Sequence, residues 1–409
     1  MNIIFLTLIN INSIEERGIY TDLMRKFRDE GHNVFIVSPF ERRMGKKTHI
    51  TKSEGVSLLN VRTLNIQKTN IVEKGIGTLL IEKQYQNAIK KYLSGISFDL
   101  ILYSTPPITF TNVVTFLKRK NPKAVSYLLL KDIFPQNAID IGLFGEKSFF
   151  KWYFRRKEIA LYKASDCIGC MSPANVEYVR KHNKYYPEGN IEVAPNSVEL
   201  KENHQEDFTS KQIERETIRS KYGLPSDLPV FIYGGNIGKP QGIDYLIKCL
   251  DANKERKDCV FLVVGNGTEY QKMATWYESQ KLNPQLHLNV KLMDKLPKED
   301  YDMLVRSCDV GLIFLDHRFT IPNYPSRLLS YLEYKMPVIC ATDVNTDIGR
   351  IAEENGYGYW CESIKPEGFT ALVDKILQSD RVSMGERGYQ FLKQNYLVEH
   401  TYNAIMAHV

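Results

Sequence analysis

The sequence predicts an α/β protein built from two Rossmann-like halves in tandem. Three observations carry that expectation. Short apolar runs alternate with segments of helical period. The alternation breaks once, near Pro195, and then restarts. The 409 residues exceed what one ordinary hydrophobic core accommodates and suit two.

Taken in order, "NIIFLTL" reads as the first strand, "GIYTDLMRKFRDEGH" as a helix closed by Gly31, and "NVFIVSP" as the next strand. "FDLILYSTPP" and "AVSYLLLKD" repeat the pattern around the helical "TFTNVVTFLKRK", and "SDCIGCMS" and "IEVAPNS" follow. A polar stretch then leads to a helix expected over Lys211 to Tyr222, closed by Gly223 and Pro225. After it come the strands "PVFIYGG", "CVFLVVGNG", "HLNVKLM", "DVGLIFLD" and "MPVICAT", separated by helical segments. The expected division is 1–196, 197–383 and a helical tail, 384–409, packing back across the first half.

Composition narrows the classes. The chain is 43% hydrophobic and 25% charged, as in soluble globular proteins. It shows no uninterrupted apolar run of about 18 residues, the length a membrane-spanning helix needs. "MNIIFLTLIN" reads as a buried strand rather than a signal peptide. Seven cysteines lack framework spacing, which points to reduced thiols and a cytoplasmic setting. Cys167 and Cys170 have the CxxC spacing of redox and zinc motifs, but no second pair joins them, so burial in a strand is the better account. The net charge of +6 permits an anionic partner without naming one, and nucleic acid is not expected.

One segment is locally distinctive. "KSFFKWYFRRKEIALYK" interleaves Phe149, Phe150, Trp152, Tyr153 and Phe154 with Lys151, Arg155, Arg156 and Lys157. It suits a helix resting on an anionic bilayer, and equally an amphipathic helix packed on its own core.

Three loops in the second half follow a strand and precede a helix, where anions are held in open α/β sheets. In "FIYGGNIGKPQGIDYL", Gly234, Gly235 and Gly238 allow close backbone approach. In "VVGNGTEY", Gly265 and Asn266 occupy a similar turn that tight turning alone also explains. In "FTIPNYPSRLLSYLEYKMPVIC", Pro325 sets the turn, Ser326 is expected to cap the helix, and Arg327 offers a forked donor set. Two phosphate-friendly loops on one sheet edge imply a diphosphate ligand.

These segments, in this order and spacing, resemble the family-4 retaining glycosyltransferases of the two-domain GT-B fold along the whole chain. The likeness is greatest to the branch that includes N-acetyl-L-fucosamine transferases of bacterial surface-polysaccharide synthesis. "RGIYTDLMRKFRDEGHNVFIVSP", "LLLKDIFPQNAIDIGLF", "VAPNSVEL", "YGGNIGKPQGIDYLI" and "YPSRLLSYLEYKMPVI" carry it. Two departures stand out. Asn236 and Gln241 replace an arginine and a lysine usual in the glycine loop, which leaves Lys239 and Arg327 as the diphosphate cations. The family's two glutamates fall on Pro322 and Ser330, neither acidic, which leaves Ser330, with Glu333 nearly a turn further on, as the candidates for the ribose.

The resemblance implies two domains facing a central cleft, with a nucleotide-sugar donor, here expected to be UDP-linked, on the second and an acceptor on the first. It implies no metal and no cofactor beyond the donor. The acceptor is expected to be a saccharide linked to polyprenyl diphosphate, placing the enzyme at the inner face of the cell membrane. Lys239 and Arg327, with the amides of Gly235, Asn236 and Ser326, are assigned to the diphosphate. Asp132 is assigned to orienting or deprotonating the acceptor, or else caps a turn. Leu292 to Leu296 match the loop whose backbone pairs with the nucleobase. His317, with Arg318, is a candidate beside the donor loop. His32 is expected to be structural, and His49 to lie in an acceptor loop. A UDP-N-acetylglucosamine 2-epimerase and a non-catalytic sugar-binding protein of the same fold are the alternatives.

Overall fold

The computed structural model describes residues 1–66, 71–200, 208–283 and 288–409. The chain forms two compact units, Met1–Glu199 with Tyr396–Val409, and Leu200–Asn395. Part of the polar stretch after Pro195, residues 201–207, lies outside the described residues.

The first unit is an eight-stranded sheet. Its strands are β1 (Asn2–Leu6), β2 (Asn33–Glu41), β3 (His49–Ser53), β4 (Val56–Thr63), β5 (Leu100–Ser104), β6 (Val125–Leu130), β7 (Cys167–Cys170) and β8 (Ile191–Val193). They run in the order β3-β4-β2-β1-β5-β6-β7-β8, all parallel except the β3/β4 pair. The central strands are apolar on both faces because helices cover both, so the neighbours Ile3 and Ile4, Leu100 and Ile101, and Leu128 and Leu129 are all fully buried. The antiparallel β3–β4 pair turns at Glu54 and Gly55, both at positive φ. His49 therefore opens a strand instead of lying in a loop, and its ring stacks on Phe40 at 5.4 Å between centroids. Cys167 and Cys170 are buried in β7, and burial pushes their thiols up to about 11 and about 12.

The second unit is a six-stranded, wholly parallel sheet. It comprises β9 (Val230–Asn236), β10 (Val260–Asn266), β11 (Val290–Met293), β12 (Val310–Phe314), β13 (Val338–Thr342) and β14 (Gly358–Glu362), in the order β11-β10-β9-β12-β13-β14. The order reverses between β9 and β12, which is where ligands enter such sheets. Phe231, Tyr233, Phe261, Phe314 and Phe369 form an aromatic centre to its core. Helix Phe208–Lys221 is fastened to this unit by Arg219, which is only 1% exposed. Its guanidinium donates to the carbonyls of Ser307 and Leu228 and pairs with Asp309 at 2.5 Å.

The tail departs from expectation. Helix Arg381–Asn395, taken from the sequence as part of a tail over the first half, belongs to the second unit and packs on helix Arg327–Glu333. Two glycines allow it: a Cβ on Gly385 would lie 1.8 Å from the carbonyl oxygen of Lys335, and one on Gly388 would lie 2.9 Å from Leu332. Only helix Val398–Met406 returns to the first unit. There Tyr402 packs on Phe27 at 5.0 Å, and its hydroxyl shares a 3.0 Å hydrogen bond with His32, which gives that histidine its structural role.

Candidate active site

At the reversal point the β9–β12 pairing is short, ending at Gly311 against Ile232, while β9 stays paired with β10 through Asn236. Tyr331 occupies the parting. Its hydroxyl accepts from the Gly234 amide at 3.3 Å and donates toward the Ile232 carbonyl at 3.2 Å. Gly311 makes room for the ring, since a Cβ there would lie 2.3 Å from it. The phenol thus satisfies backbone groups that lost their strand partners.

The glycine loop sits on this wedge. Gly235 has φ +123°, a conformation that favours glycine, and a Cβ there would lie 3.5 Å from Nη2 of Arg327. A Cβ on Gly265 would lie 1.8 Å from the Gly235 carbonyl oxygen, so Gly265 serves close strand packing. Asn236 and Gln241 brace the loop by a 2.9 Å bond from Nδ2 to Oε1, and Gly238 is small because that pair crosses it. Lys239, at the start of the next turn, is exposed, and its ammonium has no partner among the described residues.

Arg327 meets the loop from helix Arg327–Glu333. Its guanidinium stacks on Tyr233 at 4.5 Å, and the buried Nη1 has no hydrogen-bond partner among the described residues. Ser326 corrects the expected cap. It is exposed, already in helical conformation (φ −64°, ψ −17°), and its side chain makes no capping bond. A capping serine needs extended backbone to bring Oγ onto the next amides. Pro325 precedes it, half-buried, and Pro322 is buried. Ser330 lies one turn on from Arg327. Glu333 ends the helix, six residues and about 9 Å of rise away.

A second loop fixes this approach. Asp343, fully buried at the end of β13, accepts from the amides of Asn345 and Thr346 and from the Thr346 hydroxyl. Thr346 Oγ1 in turn accepts from the Asn323 amide at 3.0 Å, and Asn345 donates to the Phe319 carbonyl at 2.7 Å. Burial pushes the Asp343 carboxyl up to about 6 against those bonds. The proline-broken stretch is therefore held from outside, by residues that sequence reading did not single out.

The other candidates divide. Asp316 bonds to the Pro240 carbonyl through its amide at 3.0 Å, which brings His317 and Arg318 to the glycine loop. Arg318 is engaged by the Asp316 carboxylate at 2.8 and 2.7 Å, and His317 is exposed. Asn266 is tied to Asp294 at 2.7 Å. Leu292 sits in edge strand β11 opposite Val263 with its side chain against the core, and Leu296 lies just beyond.

In the first unit, Asp132 follows β6. It accepts from Asn137 Nδ2 at 2.6 Å, and burial pushes its carboxyl up to about 6. Helix Phe149–Lys163 has two characters: Glu158, Leu161 and Tyr162 are buried, whereas Phe149, Phe150 and Trp152 are 68%, 59% and 54% exposed. Arg156 lies over Trp152 at 5.0 Å, and Phe154 packs on Phe134 at 5.0 Å.

Residues 214–391 match the family model described as "Glycosyl transferases group 1". "Probable glycosyltransferase WbjE" of Pseudomonas aeruginosa is 23% identical over 301 residues, 73% of this chain and 71% of that protein. "Putative colanic acid biosynthesis glycosyl transferase WcaI" of Escherichia coli K12 is 23% identical over 164 residues, 40% of this chain and 38% of that protein. Among solved structures, Anabaena Alr3699/HepE in complex with UDP superposes with a TM-score of 0.69 at 13% identity, covering 100% of this chain and 99% of the other. At that identity the likeness shows the fold, two Rossmann-like units. Among the described residues no helix is long and apolar enough to cross a membrane.

Proposed function

Proceeding from residues 214–391 as a group 1 glycosyltransferase domain, we propose that this protein is a retaining, metal-independent enzyme of surface-polysaccharide synthesis. It moves a sugar, in our reading an N-acetylated deoxysugar, from a UDP-linked donor to a lipid-linked saccharide. The observation that carries the reading is Arg327: a cation laid against Gly235 at the sheet's reversal point, with a buried nitrogen that no described residue satisfies. A buried donor of this kind needs an acceptor, and a diphosphate supplies one together with the opposite charge.

In this mechanism the bond between the anomeric carbon and the phosphate oxygen breaks with its electron pair leaving on the diphosphate. Arg327, Lys239 and the amides of Gly235, Asn236 and Ser326 stabilise that charge as it develops. The acceptor hydroxyl bonds to the same face of the anomeric carbon and gives its proton to the departing phosphate oxygen. Asp132 orients the acceptor. Ser330, nearer than Glu333 to the mouth of its helix, contacts the ribose. The exposed aromatics and neighbouring cations of helix Phe149–Lys163 rest on the inner membrane face, where a polyprenyl-linked acceptor would reside.

The test is a thermal-shift screen of nucleotide sugars, followed by product analysis with a polyprenyl-diphosphate saccharide in EDTA. Transfer with retained configuration is expected. Stabilisation by no nucleotide sugar, or turnover of a UDP-sugar to its epimer without acceptor, would overturn the proposal.

A further inference from the structure

Tyr301 lies on helix Lys298–Arg306, ahead of β12, and reaches the reversal point from a side that the loop motifs do not describe. Its phenol presses on Gly234, where a Cβ would come within 1.9 Å of Oη and 2.6 Å of Cζ. Glycine at 234 is thus required by this tyrosine, whereas the sequence alone assigned it to ligand approach. A phenol brought so close to backbone would ordinarily bond to it, yet the Gly234 amide is taken by Tyr331. Oη of Tyr301 makes no hydrogen bond among the described residues. Burial pushes this phenol up to about 12, with the Arg327 charge opposing, so it keeps its proton and remains a donor.

Two donors without acceptors among the described residues therefore flank adjacent glycines of the loop: Tyr301 Oη on Gly234, and Arg327 Nη1 beside Gly235. They are near enough for the charge of one to act on the other. Tyrosines 233 and 331, in contrast, have their hydroxyls bonded to Asn236 and to the β9 backbone. A side chain that only filled space would need no hydroxyl here.

We propose that Tyr301 is a further binding residue for the donor's diphosphate, giving its hydroxyl hydrogen to a phosphate oxygen that Arg327 also engages. This rests on the donor-site reading above. It adds a neutral donor whose position is fixed by ring packing, so it discriminates by geometry where Lys239 acts by charge.

The experiment uses the full chain and calorimetric titration with UDP, GDP, ADP and dTDP, continuing with whichever diphosphate binds most tightly. Tyr301→Phe keeps the ring on Gly234 and removes only the hydroxyl. It is expected to weaken diphosphate binding about tenfold, equivalent to about 1.4 kcal/mol, while affinity for the parent nucleoside and the melting temperature stay at wild-type values. Equal diphosphate affinity in variant and wild type would overturn the assignment and leave the donor site standing. Equal losses for nucleoside and diphosphate would reduce Tyr301 to a packing role, which also overturns it. If the wild type binds none of the four diphosphates, the donor-site reading fails, and this inference with it.

Discussion

The guanidinium of Arg327 stacks on the ring of Tyr233, 4.5 Å from its centroid, and the hydroxyl of that ring donates to the Asn236 carbonyl at 2.6 Å. One aromatic side chain thus joins the arginine to the glycine loop. Such an arrangement fixes the cation before any ligand arrives, which lowers the ordering cost of binding.

Arg327→Ala should reduce turnover with the preferred donor on the order of 10²–10³-fold, the range for losing one preorganised charge-stabilising group. Arg327→Lys should fall between, since it keeps the charge and loses the planar fork. Steady-state kinetics with each variant checks this. Activity near wild type in Arg327→Ala would remove the diphosphate role.

Arg219→Met should destabilise the second unit by about 1–3 kcal/mol, because the carbonyls of Ser307 and Leu228 would lose their buried donor, while Asp309 keeps its ion pair with Arg215. Urea unfolding followed by fluorescence measures it. The loss should appear in unfolding midpoint and leave nucleotide affinity of the folded protein unchanged.

Replacing Phe149, Phe150 and Trp152 together with serine should abolish co-sedimentation with vesicles containing anionic phospholipid. Because all three are more than half exposed, thermal stability should change little. Retained sedimentation would assign the helix to packing alone.

Asp343 makes a pH prediction. Its folded carboxyl titrates near 6, above the ordinary 3.8, so between those values the native state holds a proton that the unfolded chain has lost. Stability from this group is therefore full below about pH 4, declines as pH rises through 6, and is flat above. Asp343→Asn should remove most of that decline, read as denaturant midpoints from pH 4 to 7. An unchanged slope would place the titration elsewhere.

The sheets were legible in the sequence because parallel strands buried on both faces leave runs such as "NIIFL" and "VFLVV" that need no tertiary context. The glycine loop and Arg327 were legible for a similar reason, being local patterns at strand-to-helix junctions. Tyr331 and Tyr301 were not. Tyr331 reaches the Gly234 amide across 97 positions of sequence, and only strand order puts a tyrosine between β9 and β12. The β3–β4 hairpin was missed because its turn is Glu54-Gly55, without the usual asparagine or aspartate before the glycine. Ser326 misled because a serine before a helix usually caps it, whereas here the helical backbone already includes it.

The return of helix Val398–Met406 to the first unit has a consequence for biosynthesis. Val198 bonds to Tyr396 and Val398, at 2.9 and 3.1 Å, so the first unit is closed by residues made some two hundred positions later. On the ribosome the first unit is completed only after the second has been made. Until helix Val398–Met406 emerges, Phe27 lacks the packing of Tyr402, and a nascent chain stalled after the second unit would present that bare surface to chaperones.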